Sequence, residues 1–155
     1  MFYIYKCKQI LKKMKESVGI LIIAKDTNNF LLLHRVQNPI VWSILTGKMD
    51  VDGETPLETV KREIQEEINL NPNKIKNIQK VGIVKDTKIF HVFVGFVDKE
   101  FTPNLKLDEN DDFMWTDPKN MPSPMHKRWT NTSKLVKSFL NLKEQFIRHT
   151  KNLLR

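Results

Sequence analysis

Short dense apolar runs alternate with polar clusters along the first two thirds of the chain, and each run has a period that selects its element. From Glu16 to Lys25, the run Val18, Ile20, Leu21, Ile22 and Ile23 is rich in β-branched residues and predicts a buried strand. The polar cluster Asp26-Thr27-Asn28-Asn29 reads as a turn. Phe30-Leu31-Leu32-Leu33 follows as a second short strand, and after Pro39 the segment Val41 to Leu45 reads as a third extended piece. Thr46 to Glu54, with two of the five glycines, reads as a loop. Thr55-Pro56-Leu57-Glu58 then signals a helix start in three ways: Thr as N-cap, Pro in the first turn, and Glu three after the Thr to close a capping box. That helix is expected to run to about Ile68, with Leu57, Val60, Ile64 and Ile68 as its apolar stripe and Asn69 and Asn71 as its stop. Strands are expected at Lys80 to Val84 and Ile89 to Val97, joined at Asp86-Thr87, then a polar loop from Asp98 to Asp112 and a short strand at Phe113-Met114-Trp115. From Trp129 onward, Leu135, Val136, Phe139, Leu142, Phe146 and Ile147 recur at helical spacing and predict an amphipathic C-terminal helix packed on the core.

A length of 155 residues suits one domain with a core of its own. Residues 1–15 form an N-terminal extension with no readable role, and 16–155 form the domain that ends in the amphipathic helix. The single cysteine, Cys7, allows neither an internal disulfide nor a two-cysteine zinc site. The longest apolar stretch, Val18 to Ala24, falls far short of the ~20 residues that cross a bilayer. Lysines at positions 6, 8, 12, 13 and 15 interrupt any hydrophobic core of a signal peptide. A cytoplasmic protein without a membrane partner is therefore expected. The net charge of +8 comes from 21 lysines and five arginines against 18 acids. Scattered lysines read first as solvated surface and second as a field attracting phosphate-bearing molecules. With no arginine-rich run or aromatic-interleaved basic patch, specific nucleic-acid binding is not expected. Composition says nothing of the oligomeric state.

The chemistry concentrates on the helix that starts at Thr55. Glu63 and Glu67 stand at i and i+4, with Glu66 between them, on the face read as opposite the apolar stripe. Like charges at this spacing repel by about 0.2–0.5 kcal/mol per pair. A solvated acidic face with Lys61 and Arg62 as partners is one reading. The other is a divalent cation, since clustered hard oxygen ligands are what Mg²⁺ or Mn²⁺ takes. The glycine-containing loop just before the helix favours the second.

The stretch from Gly47 to Leu70 closely resembles the Nudix box of the Nudix hydrolases. From Glu54 through Arg62-Glu63 to Glu66-Glu67, each residue of that pattern stands at its required spacing. Two departures exist: six residues instead of five separate Gly47 from Glu54, and Asn69 stands where the final glycine is expected. The resemblance extends over roughly residues 16–142. Within it, the Thr46-Gly47 ending and Lys127-Arg128-Trp129-Thr130-Asn131 are similar to the dihydroneopterin triphosphate pyrophosphohydrolase branch. The resemblance implies an α/β fold, an α/β/α sandwich around a mixed β-sheet in a single domain. It assigns Glu63, Glu66 and Glu67 to Mg²⁺ (or Mn²⁺), with a main-chain contribution from Gly47, and pairs Glu54 with Arg62 as a structural brace. It draws a further catalytic carboxylate from a later loop, for which Glu109 is best placed. Arg35 and Lys48 become candidates for phosphate, the basic pair Lys127-Arg128 for the terminal phosphates, and Trp42 and Trp129 for the base or ring of the substrate. The four histidines receive no role. The implied activity is cleavage of a diphosphate linkage in a nucleotide-type substrate, foremost a nucleoside or pterin triphosphate split into monophosphate and pyrophosphate. ADP-ribose, a dinucleoside polyphosphate or an RNA 5′ end are the alternative substrates, and a nucleotide-sensing domain is the non-enzyme alternative.

Overall fold

The computed structural model describes residues 13–155, so the extension expected over residues 1–15, and Cys7 with it, falls almost wholly outside the described residues. In chain order the elements are β1 (Glu16–Ala24), β2 (Phe30–Arg35), β3 (Trp42–Ser43), β4 (Leu45–Lys48), α1 (Pro56–Ile68), a 3₁₀ turn (Pro72–Lys74), β5 (Lys76–Lys85), β6 (Ile89–Val97), β7 (Asn110–Thr116) and α2 (Trp129–Leu153). β1 is the axis of one mixed sheet. It runs parallel to β6 over its whole length, from Glu16 opposite Ile89 to Ala24 opposite Val97. Its other side is shared between two antiparallel partners: β4 covers Ser17 to Ile20, and β2 meets it at Ile23 opposite Phe30. β3 and β7 pair with β2, and β5 closes the far edge on β6. The sheet therefore forks, β2 leaving on one branch and β4 on the other.

Both faces of β1 are covered, which is why its sequence is a continuous apolar run and does not alternate. On one face Val18, Ile20 and Ile22 pack beneath Val60, Ile64 and Ile68 of α1. On the other, Leu21, Ile23, Val92 and Val94 pack beneath Val136 of α2. Two helices on opposite faces of a mixed sheet make the expected α/β/α sandwich.

Four sequence expectations are corrected. The piece Val41 to Leu45 is two strands, because the chain leaves β2 after Ser43 and joins β1 at Leu45. Thr46 to Lys48, expected as loop, completes β4. β5 and β7 both begin earlier than their apolar residues suggest, at Lys76 and Asn110, since pairing with β6 and β2 continues through polar positions. On α2, Leu142, Phe146 and Ile147 are exposed. By Lys143, whose Nζ lies 3.8 Å over the Phe96 ring, the helix has reached the end of β6, and its last turns extend past the sheet. Among the described residues no helix is long and apolar enough to cross a membrane.

Candidate functional site

α1 is fixed at both ends by local chemistry. Thr55 takes extended backbone and its side chain accepts from Glu58 N at 3.2 Å, while Glu58 Oε2 accepts from Thr55 N at 2.8 Å, completing the capping box. Asn69 ends the helix in the left-handed conformation at φ 50°, a role asparagine fills next best after glycine. Between them the stripe is rotated from the sequence reading. Leu57 is 39% exposed, whereas Glu63 and Glu67 are each only 7% exposed. Val60, Glu63, Ile64 and Glu67 follow the spacing of a core-facing stripe, so two of the acids stand beside the apolar face, not opposite it.

Arg62 binds the parts together. Its Nε donates to Glu54 Oε1 and Oε2 at 3.2 and 3.1 Å, its Nη2 to Glu54 Oε1 at 3.0 Å and to the Lys48 carbonyl at 3.1 Å. Nη1 donates to Glu63 Oε1 at 2.9 Å and to Glu66 Oε2 at 3.1 Å. Thr59 Oγ1 adds a 2.7 Å bond to Glu54. These bonds, Arg62's first, hold the Glu54 carboxyl below its ordinary range. Through these contacts Arg62 joins the end of β4, the following loop and α1. The extra residue between Gly47 and Glu54 is absorbed in the loop with that contact intact.

Burial pushes Glu63 up to about 7, against the pull of Arg62, and pushes Glu67 up to about 7, helped by the nearby charges of Glu109 and Glu63. Asn110 Nδ2 donates to Glu67 Oε2 at 2.6 Å, and Lys106 N donates to the Glu67 carbonyl at 3.1 Å. Glu109 arrives with this turn, its carbonyl accepting from Val36 N at 3.1 Å and its carboxylate 3.7 Å from Lys106 Nζ. Gly47 faces Glu63 so closely that a Cβ there would overlap the carboxyl group.

This donor set fits a hard divalent cation in its chemistry: oxygen ligands, two of them buried acids that lack a full counter-charge, and a glycine backbone pressed against one. Among the described residues, however, the acids do not converge as three on one point, and Arg62 lies between Glu63 and Glu66.

Other residues singled out in the sequence gather on the opposite face. Arg35, Arg128 and Trp129 line one pocket with Thr46, His126 and Thr132. Burial, then the charges of Arg35 and Arg128, lowers His126 to about 4. Trp42 is not among the lining residues; its ring packs against His34 at 4.9 Å between centroids. Lys48 contributes its carbonyl to Arg62, and its side chain is exposed. Three residues carried no signal in the sequence: Asn110, His126 and Thr132. Only the register of β7 on β2 and the docking of α2 bring them in.

The NUDIX domain model matches residues 13–139. The dihydroneopterin triphosphate diphosphatase of Haemophilus influenzae is 31% identical over 150 residues, covering 84% of this chain and 91% of that protein. The solved structure of the E. coli dihydroneopterin triphosphate pyrophosphohydrolase superposes with a TM-score of 0.64 at 20% identity, covering 81% of this chain and 95% of that one. A Caenorhabditis elegans Ap4A hydrolase in a binary complex gives a TM-score of 0.67 at 18% identity, with 82% and 98% covered.

Proposed function

The chain belongs to the NUDIX family, and from that premise we propose that it is a divalent-cation-dependent pyrophosphohydrolase splitting a nucleoside or pterin triphosphate into monophosphate and pyrophosphate. The observation that carries this reading is the braced acid cluster: Glu63 and Glu67 buried in α1, Glu66 beside them, and Arg62 locked to Glu54 and the β4 carbonyl. Two acids that burial pushes up to about 7 are costly to keep charged on the core side of a helix without a function. Glu63, Glu66, Glu67 and the Gly47 carbonyl would hold Mg²⁺, or Mn²⁺ in its place. When bound, the cation supplies neutralisation of phosphate charge and acidification of a water. Glu109 has one nearby cation and a backbone carbonyl held by Val36, just after β2, and in this reading it takes the proton from the attacking water. The brace keeps the loop against the helix while the substrate's charge is close.

The triphosphate preference rests on the likeness to the Haemophilus influenzae dihydroneopterin triphosphate diphosphatase, which extends over most of both chains. The test is a panel of ATP, dATP, dihydroneopterin triphosphate, ADP-ribose and a diadenosine polyphosphate, with products resolved chromatographically. Monophosphate and pyrophosphate from a triphosphate in Mg²⁺, and nothing in excess chelator, are expected. Full turnover in chelator would overturn the metal role, and preference for either of the last two substrates would overturn the triphosphate assignment.

A further inference from the structure

The last turns of α2 leave the sheet with their apolar residues uncovered. Thr132 and Val136 are buried under the first half of the helix, and Leu135 and Phe139 are half-buried against the same core, Leu135 so close to Gly82 of β5 that a Cβ there would meet it at 2.9 Å. Past Lys143 every residue of the helix is exposed. Leu142, Phe146 and Leu153 are 66%, 72% and 73% exposed, with Ile147 and Leu154 beside them. Without packing, helices shorter than about 12 residues are marginal in water, and the stretch from Glu144 to Leu153 has ten. Among the described residues its side-chain hydrogen bonds are Arg148 to Glu144 and Thr150 to the Phe146 carbonyl, both at 2.9 Å and both within the helix.

The exposed residues form a row with a definite period. Leu135, Phe139, Leu142, Phe146, His149 and Leu153 follow one another at steps of 4, 3, 4, 3 and 4, the 3.5-residue repeat with which one helix packs along another. The sheet covers the first part of that row, and the part on the overhang has the spacing for a second helix. Charge keeps away from it. Glu144, Arg148, Lys151 and Arg155 each stand two residues beyond a position of the row, about 200° round the helix. The flanks of the row are Gln145, Thr150 and Asn152, and Lys143, the exception, lies over the Phe96 ring. This arrangement selects the occupant. An anionic lipid surface would favour lysines and arginines along the flanks, where headgroups lie. Two copies of a chain with a net charge of +8 must instead keep their cations apart, and a neutral-flanked row does that.

We propose that the overhang of α2 is a dimer interface, occupied by the same segment of a second copy of this chain packed antiparallel to it. The sheet lies beside the first half of α2, so antiparallel overhangs set the two bodies at opposite ends of the pair, whereas parallel ones would press them side by side. With the twofold axis between Ile147 and Arg148, Leu142 faces the partner's Leu153 and Phe146 faces the partner's His149. His149 is the one polar residue of the row on the overhang, and a single polar residue in such a seam fixes its register at a cost in stability. Overhangs of this length fall in the range below about 1,200 Å² in total that weak, transient associations bury. The dimer is therefore reversible and depends on concentration. It is independent of the activity proposed above.

The experiment is sedimentation equilibrium of the full chain from about 5 to 500 µM, the range in which a small interface dissociates. The parent's average mass should rise with concentration from one chain towards two. Phe146→Glu and Leu153→Glu, each placing a charge in the row, should hold the protein at one chain throughout, a loss of more than about tenfold in association. Lys151→Gln, on the far side of the helix, should associate as the parent does. All three replace exposed residues, and thermal melts at the lowest concentration should match the parent. Direction is tested by cysteines in a Cys7→Ser background: Gln145→Cys and Asn152→Cys, mixed and oxidised, should cross-link to each other and not to themselves. If a Glu variant fails to melt like the parent, this cross-link decides. A parent that stays at one chain up to the highest concentration overturns the proposal, and so does a dimer that both Glu variants leave intact or in which each cysteine variant cross-links only to itself. A monomeric parent that sediments with phosphatidylglycerol vesicles would assign the face to a lipid surface and likewise overturn it.

Discussion

Asn110 Nδ2 donates a 2.6 Å hydrogen bond to Glu67 Oε2, and both residues are buried. Asn110 opens β7 opposite Arg35, so the strand that carries it is anchored to β2, while Glu67 is carried by α1. One contact thus couples the two walls of the site and fixes which Glu67 oxygen remains free.

If that orientation matters, replacing Asn110 by Leu, similar in size without the donor, should lower turnover by about 10–100-fold and raise the Mg²⁺ concentration for half-activation. Asn110→Asp would place a second acid against Glu67 and should be worse. A Leu variant with parental turnover and Mg²⁺ dependence would show that the contact only fills space.

Arg62 pairs with Glu54, Glu63 and Glu66 at once and also holds the β4 carbonyl. Arg62→Ala should therefore cost on the order of 2 kcal/mol in stability, the scale of charged hydrogen bonds that are half-buried, and also slow turnover. Chemical denaturation and initial rates check the two separately. A variant that unfolds like the parent and turns over normally would refute the brace.

Gly47 has ordinary backbone angles, so its requirement is space and not conformation: a Cβ would overlap the Glu63 carboxyl. Gly47→Ala should displace Glu63, destabilise by about 1–3 kcal/mol as overpacking does, and reduce the Mg²⁺-induced rise in Tm. Parental metal response in Gly47→Ala would remove Gly47 and Glu63 from the cation's surroundings.

How much of this was legible depended on whether the cause was local. The cap, the Pro56 start and the Asn69 stop of α1 are interactions within a few residues, and they stand where the sequence places them. Glu63 and Glu67 lie on the core side of the helix and not on the solvent side that glutamate suggests by type. Their i, i+3, i+4, i+7 relation to Val60 and Ile64 already placed them in the core stripe. β4 was hidden for another reason: Thr46-Gly47-Lys48 has no apolar pattern and becomes a strand only by pairing with Val18 and its neighbours. Asn110, His126 and Thr132 lie far from the box in sequence. Nothing but the closure of the sheet and the seating of α2 brings them to the two pockets of charge.

The last prediction concerns pH. His126 is lowered from 6.5 in an ordinary histidine to about 4, chiefly by burial and then by Arg35, Arg128 and Lys127. The unfolded chain therefore binds a proton on this ring at a higher pH than the folded one does, so the stability His126 contributes is complete above about pH 6.5 and is lost as the pH falls towards 4. Glu63 and Glu67 act in the opposite sense. Raised from 4.5 to about 7, they favour the metal-free fold when protonated, so their contribution grows as the pH falls from 7 towards 4.5. The two trends overlap and partly cancel in the parent, and its own pH profile is a poor test. The difference between the parent and His126→Gln removes the glutamates, which are common to both. In chelator, the parent's Tm advantage over that variant should shrink steadily from pH 7 to pH 4.5. A difference that stays flat over this range would mean that His126 titrates in the fold as it does in water, and that the field of Arg35 and Arg128 does not reach it.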